Sequence, residues 1–347
     1  MWIDELQQLS FTFSCAGAAD YLQPRSRLIH SRAMDDTLAP PKRRPRFRRS
    51  SETIPFRITD GDVLILRQLA RYRFLRSSHI AALVGRSLDR VNDRLCRLYH
   101  AGYVDRPRAQ LDYYPTAGSA PLVYALGDLG AQLLTEGGAE FANLEWSRKN
   151  REAGRPFIEH QLEIVEFRIA LERSTRGRSD VRLIHPEEII ASSPECTRKK
   201  RNPFALRAAI SQGEPAHDLA VVPDLVFGLM FPDGSRRCFM VEIDRGTMPI
   251  SRSDFRQTSF ERKMHAYLTA YSQGQHTKQF GWKTLRVLVV TTNQQRIRSM
   301  IERLQQLNMQ ESPGPSLFFF ALADELQRND PLAHNWQDGG GRATRLR

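Results

Sequence analysis

The sequence predicts a mixed protein, α+β in its first part and α/β in the remainder, with two folded domains. Three observations lead to this prediction: helical spacing of apolar residues before residue 100, a β-ribbon pattern after it, and alternation of helices with β-branched strands in the second half. A hydrophobic content of 41% over 347 residues is enough for two cores. In chain order we predict a disordered basic leader at 1–52, a helix-and-ribbon domain at 53–138, a linker at 139–156, a mixed-sheet domain at 157–327 and a disordered tail at 328–347.

The net charge and the pattern of apolar residues indicate which molecules the protein binds and in which compartment it lies. The chain carries 51 basic against 39 acidic residues, a formal net charge of +12, which favours nucleic acid or an anionic membrane surface as partner. No apolar run approaches the roughly 18–20 residues of a membrane span, and no basic stretch followed by an apolar one opens the chain. We therefore expect a cytoplasmic protein without a membrane partner. The four cysteines are scattered without CxxC spacing, so we expect reduced thiols rather than a zinc site or disulfides.

A cluster of basic residues ends the leader. Two prolines are followed by KRRPRFRRS, in which six like charges repel one another and bury nothing. This composition is typical of an arm that lies along phosphates or enters a minor groove, and equally of a solvated tail. The charged residues are Lys42, Arg43, Arg44, Arg46, Arg48 and Arg49.

Three helices and a β-ribbon are predicted next. Asp60 or Asp62 begins the first helix, whose apolar residues recur at helical spacing. A short second helix, HIAALVG, ends at Gly85, which supplies a turn. The third helix runs from Ser87 to His100 and has one apolar face and several arginines on the others. A strand then starts at YV, and PLVYALGDLGAQLL adds a second strand and a helix.

This order is the plan of a winged helix-turn-helix. The third helix would be the recognition helix, and residues 106–120 the wing, where Tyr113 and Tyr114 suit phosphate and sugar contacts. The predicted partner is double-stranded DNA. A winged helix used only for protein contacts or dimerisation is the alternative, which the net charge disfavours. The residues predicted to lie nearest the DNA are Arg86, Ser87, Asp89, Arg90, Asn92, Arg94, Arg97, Arg106 and Arg108.

The second half predicts a central mixed β-sheet flanked by helices. Its elements follow the order helix, three strands, helix, strand, helix, strand, and TLRVLVVTT has the β-branched composition of a buried strand. AVVPDLVFGLMF and RRCFMVEID form a predicted hairpin about the turn Pro232-Asp233-Gly234. A basic insert, CTRKKRNPFALRAAISQGEPAHD, precedes the hairpin and either grips a nucleic-acid strand or is a solvated loop.

Carboxylates concentrate at the ends of the two hairpin strands. Asp224 lies beside Glu242 if the strands pair across the turn, and Asp244 shares a strand face with Glu242 because side chains alternate along a strand. Three converging carboxylates form an oxygen-rich site for Mg²⁺ or Mn²⁺, which would bind a scissile phosphate and activate water. Glu159, near the start of the preceding helix, is a weaker fourth candidate ligand.

Structural roles for the same residues are the alternative. Glu242 and Asp244 would then pair with Arg237 or Arg245 in a surface ladder, while Asp224 would cap a turn. The sequence contains no Walker A loop, GxGxxG or GxSxG, which disfavours ATP hydrolysis and serine hydrolysis. Four histidines without metal-ligand spacing are expected to be structural or exposed: His160, His185, His217 and His265.

The second half resembles the PD-(D/E)xK nuclease superfamily over about residues 157–292. The motif stands here as PD ending in Asp224 and as ExD from Glu242 to Asp244, within the order of elements typical of that superfamily. The resemblance implies that Asp224 and Glu242 ligate the metal and that Asp244 assists, at the position where the superfamily has lysine. Variants of the superfamily supply that lysine from the following helix, which makes Lys263 the implied replacement.

The chain as a whole resembles the bacterial replication-relaxation proteins of plasmids and integrative elements. The resemblance runs from about Ile58 to Leu322 and includes the helix-turn-helix segment, the motifs VPD and EIDRGT, and Lys263 with Tyr267 and Tyr271. It implies a role in the replication, topology or transfer of mobile DNA.

The patterns predict a DNA-binding protein that nicks or cuts duplex DNA with a divalent metal, and the resemblance implies that this DNA belongs to a plasmid or mobile element. One alternative is a catalytically inactive DNA-binding factor that controls replication, transfer or transcription. Another is an adaptor whose winged helix docks a replication or transfer protein. A homodimer is left open, since symmetric DNA sites favour dimers but the sequence has no coiled-coil heptads.

Overall fold

A computed structural model describes residues 46–51, 56–111, 121–141, 145–210, 217–253, 257–307 and 314–346. Its helices, α1 to α12 in chain order, are Asp60–Tyr72, Ser77–Val84, Leu88–His100, Asp128–Glu136, Trp146–Glu152, Arg155–Thr175, Pro186–Ala191, Glu195–Arg198, Phe260–Ser272, Gln275–Phe280, Gln294–Gln306 and Ala323–Arg328. Its strands, β1 to β12, are Phe74–Arg76, Val104–Asp105, Val123–Leu126, Arg182–Ile184, Leu206–Ile210, His217–Val221, Leu225–Met230, Arg236–Ile243, Arg286–Thr291, Phe318–Leu322, Trp336–Asp338 and Ala343–Thr344. The predicted mixture of α+β and α/β structure is confirmed at this level.

The N-terminal unit contains α1 to α4 and a small antiparallel sheet of order β1-β3-β2. Helix α1 follows Thr59, whose backbone N–H and hydroxyl both donate to Asp62 Oδ2 at 2.8 Å. Gly85 ends α2 in the left-handed region, with φ 65°, where a residue without Cβ is favoured. Strand β1, three residues between two helices, was not expected from the sequence because it is too short to show a period.

The stretch predicted as a linker, 139–156, is folded in part. Residues 146–152 form α5, and α6 already begins at Arg155. Trp146 is 5% exposed and packs in the same core as Leu66 and Leu98. Asn150 Nδ2 donates to the buried carbonyl of Leu126 at 2.8 Å. Trp146, with Phe141 packed against it at 5.5 Å between ring centres, thus anchors the segment in the N-terminal core.

Helix α6 belongs to both halves of the structure. Its Val165 and Ile169 pack into the N-terminal core, while Phe167 and Leu171 pack against the large sheet. The Tyr72 hydroxyl on α1 donates to Glu172 Oε1 on α6 at 2.8 Å. The two units therefore share a helix instead of being joined by a flexible connection.

A mixed seven-stranded sheet, of order β12-β11-β10-β9-β8-β7-β4, organises the second half. Strands β8, β9 and β10 are parallel, and the other neighbours are antiparallel. The predicted β7–β8 hairpin forms, with Gly234 at φ 78° in its turn. One face of the sheet packs against α9 and α11, and the opposite face packs against α6 and α12. Two further strands, β5 and β6, pair in a separate antiparallel ribbon, and β5 lies within the basic insert.

The C-terminal stretch 328–347 differs from the disorder expected of it. Strands β11 and β12 extend the large sheet beyond β10. Trp336 and Leu346 are fully buried in the core on the α6 side. The Trp336 indole N–H donates to Pro331 O at 3.0 Å. The glycine-rich composition predicted a disordered tail, but the burial of Leu332, Trp336 and Leu346, together with strand pairing, holds the stretch on the sheet. No helix in the described parts of the chain combines the length and the apolar character needed to span a membrane.

Candidate functional site

Two carboxylates meet where the β7–β8 hairpin opens. The register pairs Leu225 with Val241, which sets Asp224 opposite Glu242. The Asp224 backbone N–H donates to Val241 O at 2.9 Å, and Asp224 Oδ2 accepts from the Ile243 N–H at 2.8 Å. The Glu242 side chain is 2% exposed and that of Asp224 is 16% exposed. The pair thus lies at the boundary between the interior and the surface.

Helix α9 supplies a lysine and a tyrosine to this pair. Ser259 caps the helix by accepting the Arg262 N–H at 3.2 Å. Lys263 and Tyr267, one turn apart, share the face that meets β8. Lys263 Nζ donates to Glu242 Oε2 at 2.5 Å, and the Tyr267 hydroxyl donates to Oε1 at 2.6 Å. Both oxygens of the buried carboxylate are therefore hydrogen-bonded, and an ammonium balances its charge.

Helix α6 adds a histidine that the sequence did not mark as functional. His160 Nε2 lies 3.0 Å from Asp224 Oδ1, and the His160 side chain is 29% exposed. The sequence predicts a structural or exposed histidine here, because no metal-ligand spacing surrounds it. The signal available was its position beside Glu159, on a helix already expected near the carboxylates. We call Asp224, Glu242, Lys263, Tyr267 and His160 the carboxylate cluster.

Burial and mutual charge set the protonation of the carboxylate cluster. Burial raises the pKa of Asp224, but the hydrogen bond with His160 and the charge of Lys263 outweigh it and hold that pKa below its usual range. Burial lowers the pKa of His160, but Asp224 reverses this and leaves it above the ordinary value. Burial raises the pKa of Glu242, which Lys263 offsets only in part. Burial lowers the pKa of Lys263, but the charges of Glu242 and Asp224 outweigh burial and hold that pKa above its ordinary value, so Lys263 remains an ammonium.

Asp244 lies outside the carboxylate cluster, which corrects the expectation of three converging carboxylates. Strand β8 ends at Ile243, so the alternation of side chains no longer holds at the next residue. Asp244 Oδ2 accepts from the Thr291 hydroxyl at 2.6 Å, and the guanidinium of Arg296 on α11 binds both carboxylate oxygens. The Asp244 side chain is 4% exposed. Asp244 thus forms a buried ion pair with Arg296, and its contacts connect the end of β8 with β9 and α11.

Glu159 also forms its ion pairs outside the carboxylate cluster. It pairs with Arg155, one turn before it on α6, at 2.7 Å, and with Arg245. Arg245 Nε also lies 3.1 Å from Glu163 Oε1. Glu159, Glu163 and Arg245, with Asp244, line a cavity of about 400 Å³ on the α6 side of the sheet. Neither Glu242 nor Lys263 lines that cavity, so the predicted role of Glu159 as a fourth ligand is not supported by its placement.

A divalent metal would find two carboxylates in the carboxylate cluster. Mg²⁺ commonly uses one or two carboxylates, with water and substrate phosphate completing its coordination. Asp224 and Glu242 can supply these two carboxylates, because carboxylate oxygens are ligands that Mg²⁺ prefers. Among the residues that the structure describes, no group of three or more Asp, Glu, His or Cys side chains is arranged to hold a metal. The donor set therefore fits a metal shared with substrate, and not a closed all-protein site.

The comparison with known families decides the family membership. A family described as Replication-relaxation matches residues 66–285, which is well over half of the chain. The chain belongs to the replication-relaxation family. The matched range contains the helices α2 and α3 and all members of the carboxylate cluster. The family description points to a role in the replication or relaxation of plasmid or mobile-element DNA. No curated protein and no solved structure matches the chain.

In this replication-relaxation protein, helix α3 presents a polar surface to solvent. Arg86, Ser87, Arg90 and Asn92 are exposed around its first turns. Arg97 is exposed farther along, where it pairs with Asp93 at 3.1 Å. The buried side of the same helix carries Val91, Leu95 and Leu98. Arg108, at the start of the β2–β3 connection, is exposed as well, whereas residues 112–120 with Tyr113 and Tyr114 lie outside the described residues.

Two arginines predicted to contact DNA instead contact other residues within the protein. The guanidinium of Arg94 pairs with Asp62, whose side chain is fully buried. Arg106 is 8% exposed, and its guanidinium lies 4.2 Å from the ring centre of Tyr99 and 5.1 Å from that of Tyr124. Their placement does not support contacts with phosphate. Sequence spacing put them on the right elements but did not reveal which partner each would meet.

The end of the basic leader is attached to the N-terminal unit, unlike the disorder expected for the whole of 1–52. Arg49 Nε donates to Tyr99 O at 3.0 Å, and its terminal nitrogen to Asp105 Oδ1 at 2.6 Å. The backbone N–H of Ser50 donates to His100 Nδ1 at 3.0 Å. Of the other residues in the basic cluster, Arg46 and Arg48 are described as well, whereas Lys42, Arg43 and Arg44 lie outside the described residues.

Proposed function

We propose that this protein binds double-stranded DNA of a plasmid or mobile element through a winged helix-turn-helix formed by α1 to α3 with β1 to β3. The observation that carries the proposal is the group of exposed polar residues at the start of α3. Arg86 and Arg90 bracket the N-terminus of a helix whose opposite side is fully packed. A helix held in this way presents its first turns to a major groove without rearrangement.

The order of elements supports the same proposal. Helix, strand, two helices joined by a left-handed glycine, and two antiparallel strands follow one another between residues 60 and 126. In a winged helix the connection between the last two strands forms the wing, which here includes exposed Arg108. A formal net charge of +12 strengthens the long-range attraction to phosphates.

The test is a salt titration of duplex binding by fluorescence anisotropy. Arg86→Ala and Arg90→Ala are compared with Arg298→Ala, an exposed arginine on α11 whose guanidinium contacts Gln295. We expect Arg86→Ala and Arg90→Ala each to weaken binding and to reduce the slope of log affinity against log salt by about 1 if the variant removes one phosphate contact. The Arg298 variant should behave as wild type. Binding of a replication or transfer protein without salt-dependent duplex binding would instead favour the adaptor function.

Cleavage of the bound DNA is a second candidate function, favoured by the amine of Lys263. This amine reaches Glu242 from α9, whereas strand position 244 carries an aspartate paired with Arg296. Asp224 and Glu242 would hold Mg²⁺ or Mn²⁺. Such an ion, when bound, polarises a phosphoryl oxygen and lowers the pKa of attacking water. Lys263 supplies a permanent positive charge beside the carboxylates, and His160 with Tyr267 holds their orientation.

A supercoiled-plasmid assay separates cleavage from binding alone. Wild type, Asp224→Ala and Glu242→Ala are incubated with Mg²⁺, Mn²⁺ or EDTA, with Glu302→Ala, an exposed residue of α11, as the matched control. We expect metal-dependent open-circular or linear DNA with wild type and control only. Equal duplex binding by all four proteins without any conversion would reject cleavage and support a catalytically inactive DNA-binding factor.

A further inference from the structure

A second concave site lies at the opposite end of the large sheet. It is a cavity of about 380 Å³ at the amino ends of the parallel strands, beside the chain end. Arg237 and Phe239 on β8, Arg286 on β9 and Phe319 on β10 share the face of the sheet that packs against α6. The remaining lining residues are Cys238, Thr284, Thr344, Arg345 and Leu346.

The lining contains three arginines and no acidic residue. Within the described residues, none of these arginines forms an ion pair with a carboxylate, and their hydrogen bonds go to neutral oxygens. Arg237 donates to Leu346 O at 3.4 Å, Arg286 to Leu285 O at 2.9 Å, and Arg345 to Asn335 Oδ1 at 3.4 Å. A guanidinium has five N–H donors, so each retains donors for a ligand.

Of the three arginines, Arg286 is partly buried, and Arg237 and Arg345 are exposed. Most described arginines in partly buried positions, including Arg94, Arg245 and Arg296, neutralise a carboxylate. Three guanidiniums around one cavity repel one another unless an anion lies between them. The forked donors of arginine match the oxygens of a phosphate group, and the hydroxyls of Thr284 and Thr344 add neutral donors.

We propose that this cavity binds a phosphate-bearing anion. The volume is within the roughly 300–1,000 Å³ range of small-molecule sites, and the ring of Phe319 adds an apolar wall, with the Arg286 guanidinium 5.9 Å from its centre. The phosphate belongs either to a small free compound or to the backbone of DNA that extends past the N-terminal unit. The site goes beyond the proposed function and does not depend on it.

The cavity lined by the three arginines, which we call the arginine cavity, is distinct from the carboxylate cluster. Arg237 and Glu242 are five positions apart on β8, which corresponds to about 17 Å along a strand. They also lie on opposite faces of the sheet, since Phe239 and Val241 pack on the α6 side and Met240 on the α9 side. A ligand in the cavity would therefore not touch Lys263, and the two sites can be tested separately.

The experiment uses inorganic pyrophosphate and a duplex of mixed sequence as probes of the full chain. Calorimetry measures pyrophosphate binding, and anisotropy measures duplex binding, for wild type, Arg237→Ala/Arg286→Ala and Arg298→Ala. Circular dichroism and thermal unfolding establish that the variants fold. Arg345→Ala, at an exposed position near the chain end, serves as a second variant if the double variant does not fold.

The binding of the two probes decides whether the cavity is an anion site and which source supplies the phosphate. Pyrophosphate binding that the cavity variants weaken by about 10-fold or more, which corresponds to about 1.4 kcal/mol, with unchanged duplex binding, assigns the site to a small free anion. Weaker duplex binding by the cavity variants, together with competition by pyrophosphate in wild type, assigns it to the DNA backbone. Equal binding of both probes by wild type and cavity variants, or no pyrophosphate binding and unchanged duplex binding, overturns the proposal. Loss of duplex binding in Arg90→Ala alone bears on the winged helix and not on this cavity.

Discussion

Lys263 Nζ lies 2.5 Å from Glu242 Oε2, which joins α9 to the centre of the large sheet through a charge pair. The Glu242 side chain is 2% exposed, so the carboxylate has almost no water to solvate it if the amine is removed. This relationship makes the carboxylate cluster a structural element as well as a candidate reactive centre.

Removing Lys263 should therefore cost more stability than an ordinary lysine substitution. We expect Lys263→Met to lower the free energy of unfolding by about 3–5 kcal/mol, because it leaves a buried charge unpaired. Adding Glu242→Gln should recover part of this loss. The control is Lys278→Ala, an exposed lysine on α10, which should stay within about 0.5 kcal/mol of wild type in urea unfolding. Equal midpoints for both lysine variants would show that the pair contributes no net stability.

The Asp62–Arg94 pair should make the N-terminal unit sensitive to acid. Burial raises the pKa of Asp62, but hydrogen bonds from Arg94 and Thr59 outweigh it and hold the pKa below its ordinary value of 3.8. A depressed folded pKa contributes stability that is present above pH 3.8 and is lost as the pH falls through the lower folded value.

The Asp62→Asn variant tests this dependence. It should lose about 2 kcal/mol at pH 7, where the charged hydrogen bonds are complete, and the difference from wild type should shrink as the pH approaches 3. The matched control is Asp60→Asn, an exposed aspartate in the same first turn of α1. A difference from wild type that does not change between pH 7 and 3 would contradict the assigned sign.

Arg106 and Arg90 should separate stability from DNA binding. Arg106 lies against Tyr99 and Tyr124, so Arg106→Ala should destabilise the N-terminal unit by about 1–2 kcal/mol through the lost cation–π contacts. Its duplex affinity should stay near that of wild type at a temperature where the variant is folded. Arg90→Ala should show the reverse behaviour. Weakened duplex binding by a fully stable Arg106 variant would restore the phosphate contact expected from the sequence.

The C-terminal strands should be required for stability. Trp336 is fully buried beside Phe167, with ring centres 6.3 Å apart. We expect Trp336→Ala to cost about 3–5 kcal/mol in thermal or urea unfolding, whereas Trp336→Phe should retain most of the packing. Wild-type stability in the alanine variant would indicate that the tail does not contribute to the core.

Local sequence features were sufficient for the elements that carry the candidate site. Apolar spacing predicted α3, and the turn Pro232-Asp233-Gly234 predicted the hairpin that sets Asp224 opposite Glu242. Lys263 was implied by resemblance and lies within reach of Glu242. The helix and the hairpin depend on neighbours along the chain, so they can be inferred from spacing, whereas Lys263 was implied only by the resemblance.

Partners distant in sequence were not predictable in this way. His160 meets Asp224 only because α6 crosses the sheet at that point, and Asp244 turns to Arg296 because β8 ends one residue before it. Trp146 gives an otherwise polar stretch its anchor in the N-terminal core.

The sequence by itself determined the family, the order of the helices and strands and the excess of positive charge, because periodicity, turn residues and composition are local properties. Only the tertiary structure decided which arginines face solvent, which carboxylates share a site and where the three guanidiniums of the cavity meet. Those outcomes depend on side-chain direction and on the competition between burial and charge pairing across long sequence separations, for which the chain order carries no local signal.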